Sequence, residues 1–105
     1  MSRTWAGSNY TLPILHHGRL IGRVDAKAHR TERRLEVRHV HFEARFAEAT
    51  GSPARDERVD HDEALEGLAA ALRSLATFVN GDELVLRRVT PHRLRAPLAR
   101  ALGRP

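Results

Sequence analysis

The sequence has 105 residues, a formal net charge of +5 and no cysteine. Its length is typical of one domain, and the lack of cysteine excludes disulfides and thiolate metal sites. The first residues lack the apolar run of a secretory signal, and no segment approaches the roughly 20 apolar residues that span a bilayer. We therefore expect one domain over residues 1–105, in the cytoplasm and without a membrane partner.

The charges are segregated along the chain. Residues 1–45 carry nine Lys or Arg against four acidic residues, residues 46–86 carry three against nine, and residues 87–105 carry six Arg and no acid. This separation favours either a polyanionic partner at one surface or charge complementarity within the domain. Both interpretations are open at this point.

The chain begins with a lead-in over residues 1–9, which we expect to be flexible. Residues 10–15 are a strand candidate in which Pro13 indicates an edge position or a bulge, because proline cannot donate to a ladder. Residues 17–18, His-Gly, predict a turn. Residues 20–27 alternate small or apolar side chains with charged ones, which is the pattern of a half-buried strand.

Residues 34–43 predict a third strand with an irregular pattern. Its apolar side chains change face near Arg38, and either a bulge or burial on both sides would reconcile them. Residues 44–59 include Gly51 and Pro53 among charged residues, so we predict a mobile loop there.

A long helix is predicted after this loop. Asp60 or Asp62 can cap its start, and the apolar residues over 65–79 recur with a period near 3.6. Residues 80–81, Asn-Gly, form a stop signal for the helix.

A fourth strand is predicted over residues 83–89, and Pro91 opens a terminal helix that buries Leu94 and Leu98. This order of elements indicates an α+β fold. We predict a small antiparallel sheet of about four strands, packed by one long helix, with a short C-terminal helix.

Charged residues of the second strand form an ordered array. The period of two places Arg23, Asp25 and Lys27 in a row on one face, where Asp25 can orient both cations by hydrogen bonds. Gly22 leaves space for close approach by a ligand or a packed helix, and Arg30 follows the row. The array is either a set of phosphate contacts or a solvated row of ion pairs worth ~0–1 kcal/mol each.

The stretch that contains this array resembles the carboxy-terminal portion of bacterial winged-helix proteins that include interstrand-crosslink-repair DNA glycosylases. The pattern is Leu-Pro-x-Leu, then Gly-x-Leu-x-Gly-Arg-x-Asp-x-Lys-x-x-Arg, over residues 12–30. A likeness in character extends over residues 10–102. Two departures are His29, where an acid is expected, and the length of the loop at 44–59.

The resemblance implies a β-rich domain that belongs to an assembly clasping DNA. It also implies that glycosylase catalysis depends on a glutamine-containing motif elsewhere in a longer protein. Because this sequence contains no glutamine, we predict a non-catalytic accessory domain, with no catalytic residue and no cofactor.

The predicted partner is the phosphate backbone of duplex DNA. We expect the phosphate contacts to come from the array and from the basic residues that follow it, which are Arg23, Lys27, Arg30, Arg33, Arg34 and Arg38. Asp25 and Gly22 are expected to orient them.

The seven histidines are a second candidate group. His39 and His41 alternate on the third strand, and His16 and His17 lie at the first turn. Alternating histidines bind zinc when a third ligand converges on them, but no acid is placed by spacing to do so. We predict no metal site. Protonation of these residues would raise the positive charge of their face.

A protein-interaction or homodimerisation module is the alternative function. In that interpretation Ile21, Val40 and Phe42 form an apolar second face of the sheet, covered by another copy or by a missing winged-helix portion. The arginines of the tail, including Arg93 and Arg100, either follow phosphates or form the solvated face of the terminal helix.

Overall fold

The computed structural model describes residues 7–48 and 55–103, with the side chains of residues 9–47 and 61–103. The strands are β1 Gly7–His16, β2 Arg19–His29, β3 Arg34–Phe42 and β4 Glu83–Thr90. The helices are α1 Ala44–Glu48, α2 Arg55–Phe78, a 3-10 helix His92–Leu94 and α3 Arg95–Leu102. Among these residues, no helix combines the length and the apolar character needed to cross a membrane.

The four strands form one mixed sheet in the order β1-β2-β3-β4. The first two pairings are antiparallel, but β3 and β4 are parallel. The α+β class is confirmed, and the expectation of an antiparallel arrangement is wrong for the fourth strand. A parallel pair requires a connection that carries the chain from the end of the first strand back to the level of its start. The 24-residue helix α2, which lies between β3 and β4, is long enough to do so.

The hairpin of β1 and β2 turns at the two residues predicted from the sequence. His17 and Gly18 have φ angles of 53° and 76°, and positive values at both central positions are typical of the type I′ turn that suits a two-residue hairpin. Pro13 lies on β1, an edge strand, as predicted. This strand begins at Gly7, inside the predicted lead-in, while residues 1–6 lie outside the described residues.

The helical regions begin earlier than the sequence indicated. The segment predicted as a loop over 44–59 contains α1 and the first residues of α2, and its residues 49–54 lie outside the described residues. The stop signal is confirmed. Asn80 has a left-handed φ of 59°, and the Gly81 N–H donates to the Ala76 carbonyl at 2.7 Å.

A bulge at Arg38 gives β3 a single buried face. Asp25 pairs with His39 and Ala26 pairs with Val37, so that Arg38 has no partner residue on β2. The alternation of side chains therefore shifts by one residue there. Val37 and Val40 are both fully buried as a result, and the bulge interpretation of this strand is confirmed.

The apolar second face that the interaction-module alternative requires does not form. Ile21, Val40 and Phe42 all belong to the buried core, with 7%, 0% and 3% exposure. The register of β1 and β2 also shifts, between Ile14 and Leu15, which lets Ile21 and Gly22 both be buried. These bulges turn the three side chains toward the helices.

Helices α2 and α3 pack on the core face of the sheet. The core combines apolar side chains from the strands, from both α-helices and from the 3-10 helix, including Val24, Leu35, Leu65, Leu72, Leu94 and Leu98. Arg73 of α2 donates to the carbonyls of Ala101 and Leu102, at 3.1 and 3.5 Å. These carbonyls lie at the end of α3, where the helix lacks its own donors, so that one guanidinium links the two helices.

Gly22 is required by the close approach of β2 and β3. A Cβ atom built at this residue would lie 2.3 Å from the His41 carbonyl oxygen. The space that we predicted for a ligand or a helix is therefore occupied by the backbone of β3, and Gly22 has a structural role.

We expect Gly22→Ala to lower the free energy of unfolding by about 1–3 kcal/mol, because the backbone must move to admit the methyl group. Urea denaturation measures this change. Gly67→Ala is the matched control, since no atom lies within 4 Å of its Cβ position and the residue is in α2. It should raise the free energy of unfolding by about 0.5–1 kcal/mol. Equal effects of the two substitutions would contradict this account.

Candidate functional site

The face of the sheet opposite the helices carries a regular set of polar and charged side chains, which we call the outer face. Pairing of the strands places the residues of this face in four rows across the sheet. In order from the β1–β2 turn, the rows are Pro13, Arg23, His41, Thr90; Thr11, Asp25, His39, Arg88; Asn9, Lys27, Glu36, Val85; and Gly7, His29, Arg34, Glu83.

The two rows nearest the turn form the centre of this face. Neighbouring residues in a row lie on strands about 4.7–4.9 Å apart, so Arg23 lies beside His41, and Arg88 lies beside His39. The His39 Nε2 forms a 2.7 Å hydrogen bond with the Thr90 hydroxyl. The rings of His39 and His41 are 5.8 Å apart and perpendicular. Two imidazoles and two guanidiniums are thus concentrated in adjacent rows.

The electrostatic environment of His39 reflects this concentration of cations. Burial lowers the pKa of His39 below its ordinary value. The positive charges of Arg88 and His41 lower this pKa further, Arg23 has a smaller effect in the same direction, and Asp25 opposes them. Burial and, after it, the neighbouring cations therefore both disfavour the protonated form of His39.

Asp25 does not brace the cations of β2 as predicted. Its carboxylate accepts a 3.2 Å hydrogen bond from the Thr11 hydroxyl, and within residues 9–47 and 61–103 it forms no ion pair with Arg23 or Lys27. The reason is geometric. Directly opposed residues on adjacent strands have Cβ atoms about 4.5–5.5 Å apart, whereas successive positions on one face of a strand are about 6.6 Å apart.

The six residues predicted to contact phosphates differ in their exposure and partners. Five of them have exposed or partly buried side chains on or near the outer face, and the sixth, Arg33, forms an ion pair. Arg23 and Arg38 are exposed on the sheet, and Arg30 is exposed at the β2–β3 turn. Lys27 and Arg34 are partly buried on the outer face, and the buried Nε of Arg34 has no hydrogen-bond partner among the described atoms. All five are basic positions on or beside one surface.

Arg33 belongs to an ion pair instead. Its guanidinium donates to both carboxylate oxygens of Asp82, at 2.6 and 3.3 Å. The hydrogen bond with Arg33 lowers the pKa of Asp82. This pair joins the β2–β3 turn to the start of β4, so Arg33 is less available to a ligand than the sequence indicated.

A second ionic cluster neutralises the acid in the third row. His29 Nε2 donates to Glu36 Oε1 at 2.8 Å, and Arg87 Nε donates to the other oxygen at 3.0 Å. The hydrogen bond from His29 lowers the pKa of Glu36, partial burial opposes this effect, and Arg87 adds to it. The negative charge of Glu36 is therefore matched locally.

Two arginines of the tail have structural partners. Arg93 donates to the Ala47 carbonyl, and Arg95 donates to the carbonyls of Leu86 and Arg87 at 2.8 and 3.0 Å. Arg87 and Arg88 join the outer face, where Arg87 binds Glu36 and Arg88 pairs with His39. Arg88 is the one beside the central histidines. Sequence reasoning did not include it in the site, because nothing local in the sequence places β4 beside β3.

A comparison with protein families gives an independent result. The family model described as DNA glycosylase AlkZ-like matches residues 2–78. This chain belongs to the DNA glycosylase AlkZ-like family. Membership associates the protein with DNA repair, in agreement with the resemblance described above. No curated protein and no solved structure matches the chain.

The family match covers β1, β2, β3 and α2 and ends before β4. It therefore includes every predicted DNA-contacting residue, from Arg23 to Arg38. The relation to winged-helix proteins, and the likeness beyond residue 78, stay predictions.

The ion cluster around Glu36 predicts a dependence of stability on pH. Because the pKa of Glu36 is lowered in the folded state, the unfolded chain takes up the proton first, near its ordinary value of about 4.3. The contribution of the Glu36 cluster to the free energy of unfolding is therefore fully present above that value. It is lost as the pH falls through the folded-state pKa of Glu36.

We expect Glu36→Gln to be less stable than the wild type at neutral pH, and to lose less stability between about pH 6 and pH 3. Urea unfolding across this range measures both effects. Glu43→Gln is the control, because Glu43 is exposed. If the free energies of unfolding of the wild type and Glu36→Gln change in parallel with pH, the cluster does not contribute to the pH dependence of stability.

Proposed function

We propose that this protein is a non-catalytic accessory domain in DNA repair, which binds the phosphate backbone of duplex DNA through its outer face. The observation that carries the proposal is the adjacency of Arg23, His41, His39 and Arg88 in two rows of the sheet face opposite the helices. Membership in a DNA glycosylase-like family supports a nucleic acid as the polyanion.

The balance of charge on this surface favours phosphate. The outer face carries Lys27 and Arg34 in addition to the central cations, and Arg38 lies exposed at the bulge. Its rows also contain three acids, Asp25, Glu36 and Glu83, of which Glu36 is matched by His29 and Arg87. Side chains that contact phosphates fix the position of a protein on DNA without reading sequence, so we expect little preference between sequences.

The assignment as non-catalytic rests on the chain's composition together with the resemblance. Catalysis in the similar glycosylases is expected to depend on a glutamine-containing motif, and this sequence contains no glutamine. Binding to DNA, rather than cleavage of a glycosidic bond, is the activity to measure.

The first test is a salt series of duplex binding, measured by fluorescence anisotropy. With four to five phosphate contacts, the logarithm of the association constant should fall with the logarithm of salt concentration at a slope of about −4. Arg23→Ala and Arg88→Ala should each weaken binding and reduce the slope by about 1. Duplexes of unrelated sequence should give the same result.

Arg100→Ala is the matched control for these substitutions. Arg100 is exposed on α3, which packs on the opposite side of the sheet, so its removal should leave the slope unchanged. Absence of duplex binding, or an equal loss in all three variants, would contradict the proposal.

The second test is the dependence of binding on pH. Burial and, after it, neighbouring cations lower the pKa of His39, and the negative charge of a phosphate brought to this surface should favour its protonated form. Binding should therefore be tighter at about pH 5.5 than at about pH 7.5 at constant ionic strength. The double variant His39→Gln/His41→Gln should bind with a flatter pH profile, whereas His92→Gln, at an exposed residue of the 3-10 helix, should keep the wild-type profile.

A further inference from the structure

Three metal-binding side chains meet where the β1–β2 turn approaches α2. His16 and His17 come from the end of β1 and the turn, and Glu63 comes from the helix. Their ligand atoms all lie within 4.8 Å of one another. The site is separate from the outer face, and the DNA-binding proposal makes no use of it.

The separations of these atoms suit tetrahedral coordination. Glu63 Oε1 lies 3.1 Å from His17 Nε2 and 3.7 Å from His16 Nε2. Ligands at about 2.0–2.1 Å from a tetrahedral zinc ion are about 3.3 Å apart. The two distances to Glu63 lie on either side of this value, and the separation between the two imidazole ligand atoms is at most 4.8 Å. Coordination of an ion would replace the 3.1 Å hydrogen bond between His17 and Glu63.

The turn explains why two adjacent histidines can serve one ion. Successive side chains of a strand point to opposite faces, which would separate His16 from His17. The left-handed φ of 53° at His17 ends that alternation. The two imidazole centres consequently lie 4.1 Å apart, with their planes nearly perpendicular.

Exposure of the cluster makes it accessible to an ion from solution. The side chains of His17 and Glu63 are 64% and 61% exposed, whereas His16 is 14% exposed and held against the protein. Glu63 belongs to α2, the longest helix of the described chain. The His16 side chain is thus held in place by burial, whereas the side chains of His17 and Glu63 can change conformation.

We propose that His16, His17 and Glu63 form a binding site for a divalent transition-metal ion, with zinc as the best match. Two imidazoles and one carboxylate are ligands that zinc accepts, and three protein ligands leave the fourth position open to water or another donor. Bound metal would connect the hairpin turn to α2.

The test is calorimetric titration of the full chain, without an affinity tag, with zinc chloride at neutral pH. We expect one equivalent of zinc to bind, and His17→Ala or Glu63→Gln to weaken binding more than about 10-fold, since even outer partners of metal ligands contribute this much. Cobalt should compete for the same site and give the visible absorption of a four-coordinate ion.

His92→Ala is the matched control, because it removes an exposed histidine that is outside the cluster. It should bind zinc as the wild type does. Circular dichroism verifies the fold of each variant, and Glu63→Gln preserves the shape of an exposed side chain. The proposal is overturned if the wild type binds no stoichiometric zinc, if Glu63→Gln retains wild-type affinity, or if His92→Ala loses affinity equally.

Discussion

Arg38 is the residue that β3 leaves unpaired against β2, and the rest of the structure depends on this bulge. Without it, the apolar side chains of the two halves of β3 would face opposite sides of the sheet. With it, Leu35, Val37 and Val40 are all fully buried under the helices. The same shift places His39 and His41 together on the other side, beside Arg23 and Arg88. One extra residue therefore establishes both the core and the candidate site.

Features that depend on neighbouring residues were predicted from the sequence. The turn at His17 and Gly18, the edge position of Pro13 and the helix stop at Asn80 all follow from local backbone preferences. The bulge was predictable for a related reason. The apolar residues of β3 change from one face to the other along the strand. A strand with regular pairing cannot bury both sets on the same side of the sheet.

Features that depend on distant pairing were not predicted. The parallel placement of β4 and the position of Arg88 beside His39 require knowledge of which strands are neighbours. The same holds for Glu63, which is 46 residues from its partner His17, and for Thr11, which accounts for the hydrogen bond of Asp25. The sequence drew attention to Asp25, His17 and His39 as polar side chains. It gave no information about the residues that lie beside them in the fold.

Both edges of the sheet contain features that oppose the addition of another strand. On β1, Pro13 removes a donor that an incoming chain would need. On β4, the guanidinium of Arg95 occupies the carbonyls of Leu86 and Arg87, which are acceptors that an incoming strand would otherwise use. These features oppose edge-to-edge aggregation of the sheet.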